Sequence, residues 1–183
     1  MDRRELSVGA GDRKPGSPAP AVQEAQGQPQ GQAQEQQFSI QKLYVKDVSF
    51  ESPNAPVVFT DGEWQPEVNI QLNSSNQSLG QDTFEVDLKI TVTAKQNKKT
   101  AFLVELTQSG IFTIAGFEQD NLKGMLGAYC PETMFPFARE AVSELVTKGG
   151  FPPLLLAPVN FNALYMQQVQ QQQAATAAQD TAH

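Results

Sequence analysis

Residues 84–115 read FEVDLKITVTAKQNKKTAFLVELTQSGIFTIA, and this stretch decides the fold. Its first part alternates without a lapse. Phe84, Val86, Leu88, Ile90 and Val92 are apolar, and Glu85, Asp87, Lys89, Thr91 and Thr93 lie between them. A period of two sends the two sets to opposite faces, so the segment is a half-buried strand. Gln96-Asn97-Lys98-Lys99 then makes a turn, and a further strand follows over Thr100 to Gln108, extended by Gly110 to Ala115. A turn this short suits an antiparallel hairpin. In the second strand Phe102, Val104 and Leu106 are apolar on one parity, Ala101 and Leu103 on the other. A strand apolar on both faces is covered on both. Either the sheets of two subunits stack, or a central strand runs beneath an extended loop.

Toward the N-terminus, two more strands are legible. Phe38, Ile40, Tyr44, Val48 and Phe50 share one parity, and Gln41, Leu43, Val45, Asp47, Ser49 and Glu51 the other. Val68, Ile70 and Leu72 alternate with Asn69 and Gln71. Between these strands lies Ser52 to Pro66, SPNAPVVFTDGEWQP, whose prolines and Gly62 forbid regular structure. It carries Val57, Val58, Phe59 and Trp64, as a loop does that crosses a domain and packs down on it.

Toward the C-terminus the period changes. In residues 110–145, GIFTIAGFEQDNLKGMLGAYCPETMFPFAREAVSEL, an apolar strand runs into Leu122, Met125, Leu126 and Tyr129 at helical spacing. Breaks are expected at Cys130-Pro131 and at Pro136. Phe137, Ala138, Ala141, Val142, Leu145 and Val146 mark the stripe of a second helical stretch, which Gly149-Gly150 ends. A last short helix, capped by Asn160 or Asn162, passes through Leu164 and Tyr165. Strands first and helices after give an α+β fold, one antiparallel sheet with helices on one face.

Composition bounds the domain. Residues 1–37 are rich in Gln, Gly, Pro and Ala and nearly lack aromatic and β-branched side chains. Such a segment cannot bury enough apolar surface to offset its ordering entropy. Residues 168–183, with a run of glutamines from Gln170 to Gln173, read as a second disordered, polar tail. One folded domain remains, residues 38–167. The formal net charge is −7, and the acids concentrate in that domain. A net negative domain lacks the electrostatic footprint for nucleic acid and favours basic protein partners. The N-terminus lacks the apolar core of a secretory signal, and no run has the length for membrane insertion, so the chain reads as cytoplasmic.

Chemistry-bearing residues are scarce. His183 is the one histidine and Cys130 the one cysteine. Catalytic residues, metal ligands and cofactors are therefore not expected, and no glycine spacing matches a phosphate loop. Cys130 reads as a small core residue. The strand acids look solvated, which leaves an enzyme built on paired carboxylates as a weak rival. If pairing brings them together, Asp47, Glu51, Glu85, Asp87 and Glu105 form an acidic patch on the outer sheet face beside apolar Leu103, a combination that suits a protein partner.

Five segments are recognisable: YVKDVSFESPNAP (44–56), WQPEVNIQL (64–72), GIFTIAGFE (110–118), LGAYCPETMFPFARE (126–140) and GGFPPLLLAPVNFNALY (149–165). Together they resemble SecB, the bacterial export chaperone family, across the whole core. The resemblance implies a four-stranded antiparallel sheet with helices on one side, assembled as a homotetramer, a dimer of dimers. It implies an ATP-independent holdase that binds unfolded precursor (secretory) proteins and delivers them to the SecA motor. The family's SecA-binding residues fall on Asp47, Glu51, Leu103 and Glu105. Its oligomer interface falls on the strand with Val104, Leu106 and Gln108. Its client-binding grooves point to Phe59, Trp64 and Leu164. Some SecB-like proteins instead guard a toxin–antitoxin pair; retention of all four docking residues favours export.

Overall fold

The computed structural model describes residues 35–180, with side chains to residue 174. The arm expected over residues 1–37 lies outside the described residues as far as residue 34. The fold begins with four strands, β1 (Gln37–Glu51), β2 (Glu67–Gly80), β3 (Thr83–Gln96) and β4 (Lys99–Ala115). They form a single antiparallel sheet in the order β1-β4-β3-β2. The β3–β4 hairpin turns at Asn97 and Lys98, both at positive φ. The crossover segment between β1 and β2 includes one 3-10 turn, Val57–Thr60. It is pinned to the start of β4 by Ser52 Oγ donating to the Ala101 carbonyl and Asn54 Nδ2 to the Thr100 carbonyl.

The apolar parity of β3 and β4 faces the helices. Val86, Ile90, Val92, Val104, Leu106 and Phe112 are fully buried there. Ala101 owes its burial to a bulge, because the β3–β4 register shifts beside it. Two further bulges, at Gln41 and at Lys46, correct the sequence reading of β1. Each inserts a residue and flips the parity that follows. The helix side of β1 is therefore Phe38, Ile40, Leu43, Val45, Val48 and Phe50, and Tyr44 turns outward with Asp47, Ser49 and Glu51.

Residues 119–148 are helical throughout: α1 (Gln119–Gly124), a π turn (Met125–Tyr129) and α2 (Cys130–Lys148). The expected breaks do not occur. The widened turn closes with the Cys130 N–H on the Met125 carbonyl, immediately before Pro131, which has no N–H to give. Pro136 sits inside α2 without ending it. Cys130, Met134, Ala138, Val142 and Val146 are wholly buried, a ridge with one residue every fourth position laid mainly along β4 and β3. Phe137, expected in the stripe, is exposed. The helix stops in a Schellman motif: the Gly150 N–H bonds the Thr147 carbonyl and the Phe151 N–H the Val146 carbonyl. Gly150 has φ +87, which the glycine supplies without strain. After an extended proline-rich segment, α3 (Phe161–Asp180) starts with Asn160 Oδ1 accepting from the Ala163 N–H at 3.0 Å. It is not short. Its glutamines and alanines are good helix formers, and it continues through residues 168–180, which the sequence reading gives to a disordered tail.

Candidate functional site

Two surfaces on opposite sides of the sheet carry the polar and apolar features expected of a site. The outer face is a grid set by register. Asp47 lies opposite Thr107, Ser49 opposite Glu105, and Glu51 opposite Leu103. The structure thus brings Asp47, Glu51, Leu103 and Glu105 onto one face at the open end of β1. At ~3.3 Å per residue, Asp47 to Glu51 spans about 13 Å. Asp47 and Glu51 are exposed. Among the described residues neither has a cation within 4.0 Å, whereas Glu105 is 3.3 Å from Lys89 Nζ.

Farther along the same face, the acids are not solvated, contrary to the sequence reading. Glu85 is 7% exposed. It accepts from the Tyr44 hydroxyl, from Gln77 Nε2 and from Lys46 Nζ, the last at 2.9 Å. Lys46 also reaches Asp87 at 2.9 Å, and Asp87 accepts from Ser109 Oγ at 2.6 Å. The Tyr44 hydroxyl first, then Lys46 and Gln77, pull the Glu85 carboxyl down to about 2. Its hydrogen bonds to Asp87 and Glu85 push the Lys46 ammonium up, and the Glu85 carboxylate raises the Tyr44 phenol. The network spans all four strands. Sequence alternation missed it because the two bulges are invisible in the pattern: the one at Gln41 turns Tyr44 outward, and the one at Lys46 places Lys46 beside it on the outer face.

The helix side of the sheet carries an apolar groove along the edge strand β2. Val68 and Ile70 pair with Ala94 and Val92 on that side and stay exposed. At one end Trp64 stands 5.2 Å from Phe151 and 6.5 Å from Phe102, ring centre to ring centre. Phe59 is 4.9 Å from Phe151, and Phe50 stacks on Phe102 at 6.0 Å. At the other end a cavity of about 190 Å³ is lined by Leu72, Leu88, Gly127, Phe161, Leu164 and Tyr165 and, equally, by the polar Asn73 and Ser74 of β2 and glutamines of α3. Phe59 and Trp64 are therefore neighbours through Phe151, and Leu164 stands at the far end of β2. Gly127 is required here, since a Cβ on it would lie 2.3 Å from the Tyr165 ring. The sequence reading missed Val68, Ile70 and Leu72 as groove residues. Their alternation was plain, but nothing in it says that β2 is an edge with its apolar side left partly open.

Val104, Leu106 and Gln108, expected on the strand of an oligomer contact, all lie on the helix side of β4. Val104 and Leu106 have no exposed surface within a single chain, and Gln108 donates through Nε2 to the Tyr44 carbonyl. Cys130 is fully buried, and burial alone pushes its thiol up to about 12. Among the described residues no group of His, Cys, Asp or Glu is arranged to hold a metal ion, and no helix is long and apolar enough to cross a membrane.

An aromatic-ended groove on one side of a sheet and exposed acids on the other define a protein-binding module. Comparison with known proteins agrees. The family model for SecB, preprotein translocase subunit SecB, matches residues 31–172. The chain is 58% identical over 149 residues to the protein-export protein SecB of Nitrosococcus oceani, covering 81% of this chain and 91% of that one. It is 60% identical over 147 residues to that of Methylococcus capsulatus, covering 79% and 94%. Among solved structures, a SecB-like chaperone of Mycobacterium tuberculosis, in complex with a peptide of an antitoxin, shares the fold with a TM-score of 0.56 at 15% identity, covering 67% of this chain and 90% of that one. The chain belongs to the SecB family.

Proposed function

We propose that this chain is an ATP-independent export chaperone of the cytoplasm. It holds unfolded precursor proteins along the β2 groove and hands them to the SecA motor through Asp47, Glu51, Leu103 and Glu105. The observation that carries the reading is the contrast between the two sides of one sheet, exposed apolar side chains along β2 on one and exposed Asp47 and Glu51 on the other. An extended client chain is apolar at intervals and has unpaired backbone groups. The groove offers it exposed Val68 and Ile70, with Trp64 and Phe59 at one end and the Leu164 cavity at the other. The outer face offers a basic partner segment two unpaired carboxylates beside half-buried Leu103. Separate faces let client and motor bind together.

The chaperone works as a homotetramer, a dimer of dimers. Exposed Phe137 on α2 and Ile40, Val45 and Val48 on the edge strand β1 are the apolar surfaces such an assembly would cover. Binding the unfolded but not the folded client slows folding by mass action, and no nucleotide enters the cycle. The test is aggregation of an unfolded precursor, followed by light scattering with and without excess pure protein, in the absence of nucleotide. Suppression is expected. Equal aggregation, together with an unchanged folding rate of the precursor, would refute the reading.

A further inference from the structure

The Lys46 bulge links the two halves of the outer face. Lys46 occupies the extra position between the Val45–Gln108 and Asp47–Thr107 pairs, next to the exposed carboxylate of Asp47. β1 is an edge strand, and a bulge on an edge is the part of the sheet least constrained by its ladder. Here the bulge is tied down from the side. Lys46 Nζ sits 2.9 Å from both Glu85 and Asp87 on β3, two strands away across β4. Glu85 is in turn gripped by Tyr44 of β1 and Gln77 of β2, and Asp87 by Ser109 of β4. Among the described residues no comparable network holds Asp47 or Glu51.

We infer that Lys46, anchored on Glu85 and Asp87, is a positioning residue that fixes the β1 bulge and so aims Asp47 at the basic segment of the motor. The inference rests on the docking role proposed above for Asp47 and Glu51. It makes a prediction opposite in sign to simple electrostatics. Lys46 is a cation on a face that docks a cation-bearing partner. If only charge mattered, removing it would tighten binding. If it positions Asp47, removing it weakens binding although the face becomes more negative.

The experiment measures binding of purified motor protein to the full chain at fixed, moderate salt, with retention of an unfolded precursor measured alongside. Lys46→Met is expected to bind the motor about tenfold more weakly or worse, the size of one lost charge-assisted contact. Lys46→Arg, which keeps the charge and the reach, is expected to stay near wild type. Glu85→Gln should weaken binding as well. The double variant Lys46→Met/Glu85→Gln should be no worse than the weaker single, because the two act as one unit. Precursor retention should not change in any of them. Motor binding by Lys46→Met that equals or exceeds wild type overturns the inference, as does parallel loss of precursor retention. Asp47→Ala/Glu51→Ala separates the two layers. If that variant keeps motor affinity, the docking reading falls and the inference with it. If it loses affinity while Lys46→Met does not, the inference alone falls.

Discussion

Phe151→Ala is the most informative single perturbation of the groove. Phe151 is 5% exposed and has four aromatic neighbours, Phe50, Phe59, Trp64 and Phe102, at 6.4, 4.9, 5.2 and 5.0 Å between ring centres. It also supplies the N–H that closes the end of α2 on Val146, which alanine would keep. Truncating a buried phenylalanine costs about 3–5 kcal/mol, transfer and cavity together. Aromatic pairs add roughly 0.5–1.5 kcal/mol each, but Phe59 is half exposed and can fold into the space. We expect a net loss of about 4 kcal/mol by the same large-to-small scale. Urea unfolding should then show a midpoint lower by about 2 M for a slope near 2 kcal/mol/M. Protomer concentration must be held fixed, because the assembly proposed above would add to apparent stability. Trp64 and Phe59 lose their backing, so precursor affinity should fall as well. Phe151→Leu, closer in volume, should recover most of both effects. A midpoint shift below about 0.5 M would refute the hub role of Phe151, since the principle that sets the cost leaves no room for so small a loss at a site this buried.

Other consequences can be checked independently. Gly127→Ala puts a methyl into the Tyr165 ring; we expect a loss of about 1–3 kcal/mol from overpacking, read by thermal unfolding, and weaker precursor binding as α3 shifts from the cavity. Glu85 is pulled from its ordinary 4.5 to about 2. A depressed carboxylate stabilises the fold above its unfolded value and loses that contribution as pH falls through its folded value. Stability should therefore fall between about pH 4.5 and about pH 2, and Glu85→Gln should flatten that part of the profile in acid-unfolding experiments. Cys130, with its thiol raised to about 12 by burial, should resist a thiol reagent at pH 8 in the native protein and react fully in denaturant.

The sheet was legible because β3 is a central strand with one face under helices, and its alternation from Phe84 to Thr93 shows that directly. β1 was legible only in pieces. Its adjacent Leu43 and Tyr44 are the visible trace of two bulges, yet nothing in a period-two pattern says which residue is extra. The reading still grouped Asp47 and Glu51 correctly because both lie beyond the second bulge, so their mutual parity survives it. Glu85 and Lys46 were missed as partners for the same reason, since their meeting depends on β4 lying between β1 and β3. Pro131 misled in the other direction. A missing N–H predicts a break, but a π turn absorbs it when α2 already has a buried ridge to hold it on the sheet. Val104 and Leu106 were legible as an apolar parity of β4, and their burial on the helix side follows from it.

The central claim is that one sheet serves a client on its helix side and the motor on its outer side. The direct test is Asp47→Ala/Glu51→Ala, preloaded with an unfolded precursor and titrated with the motor while precursor retention is followed in the same sample. The account predicts that the precursor stays bound as in wild type while motor affinity drops at least tenfold, about 1.4 kcal/mol. Loss of precursor and motor together, or undiminished motor binding, would contradict it.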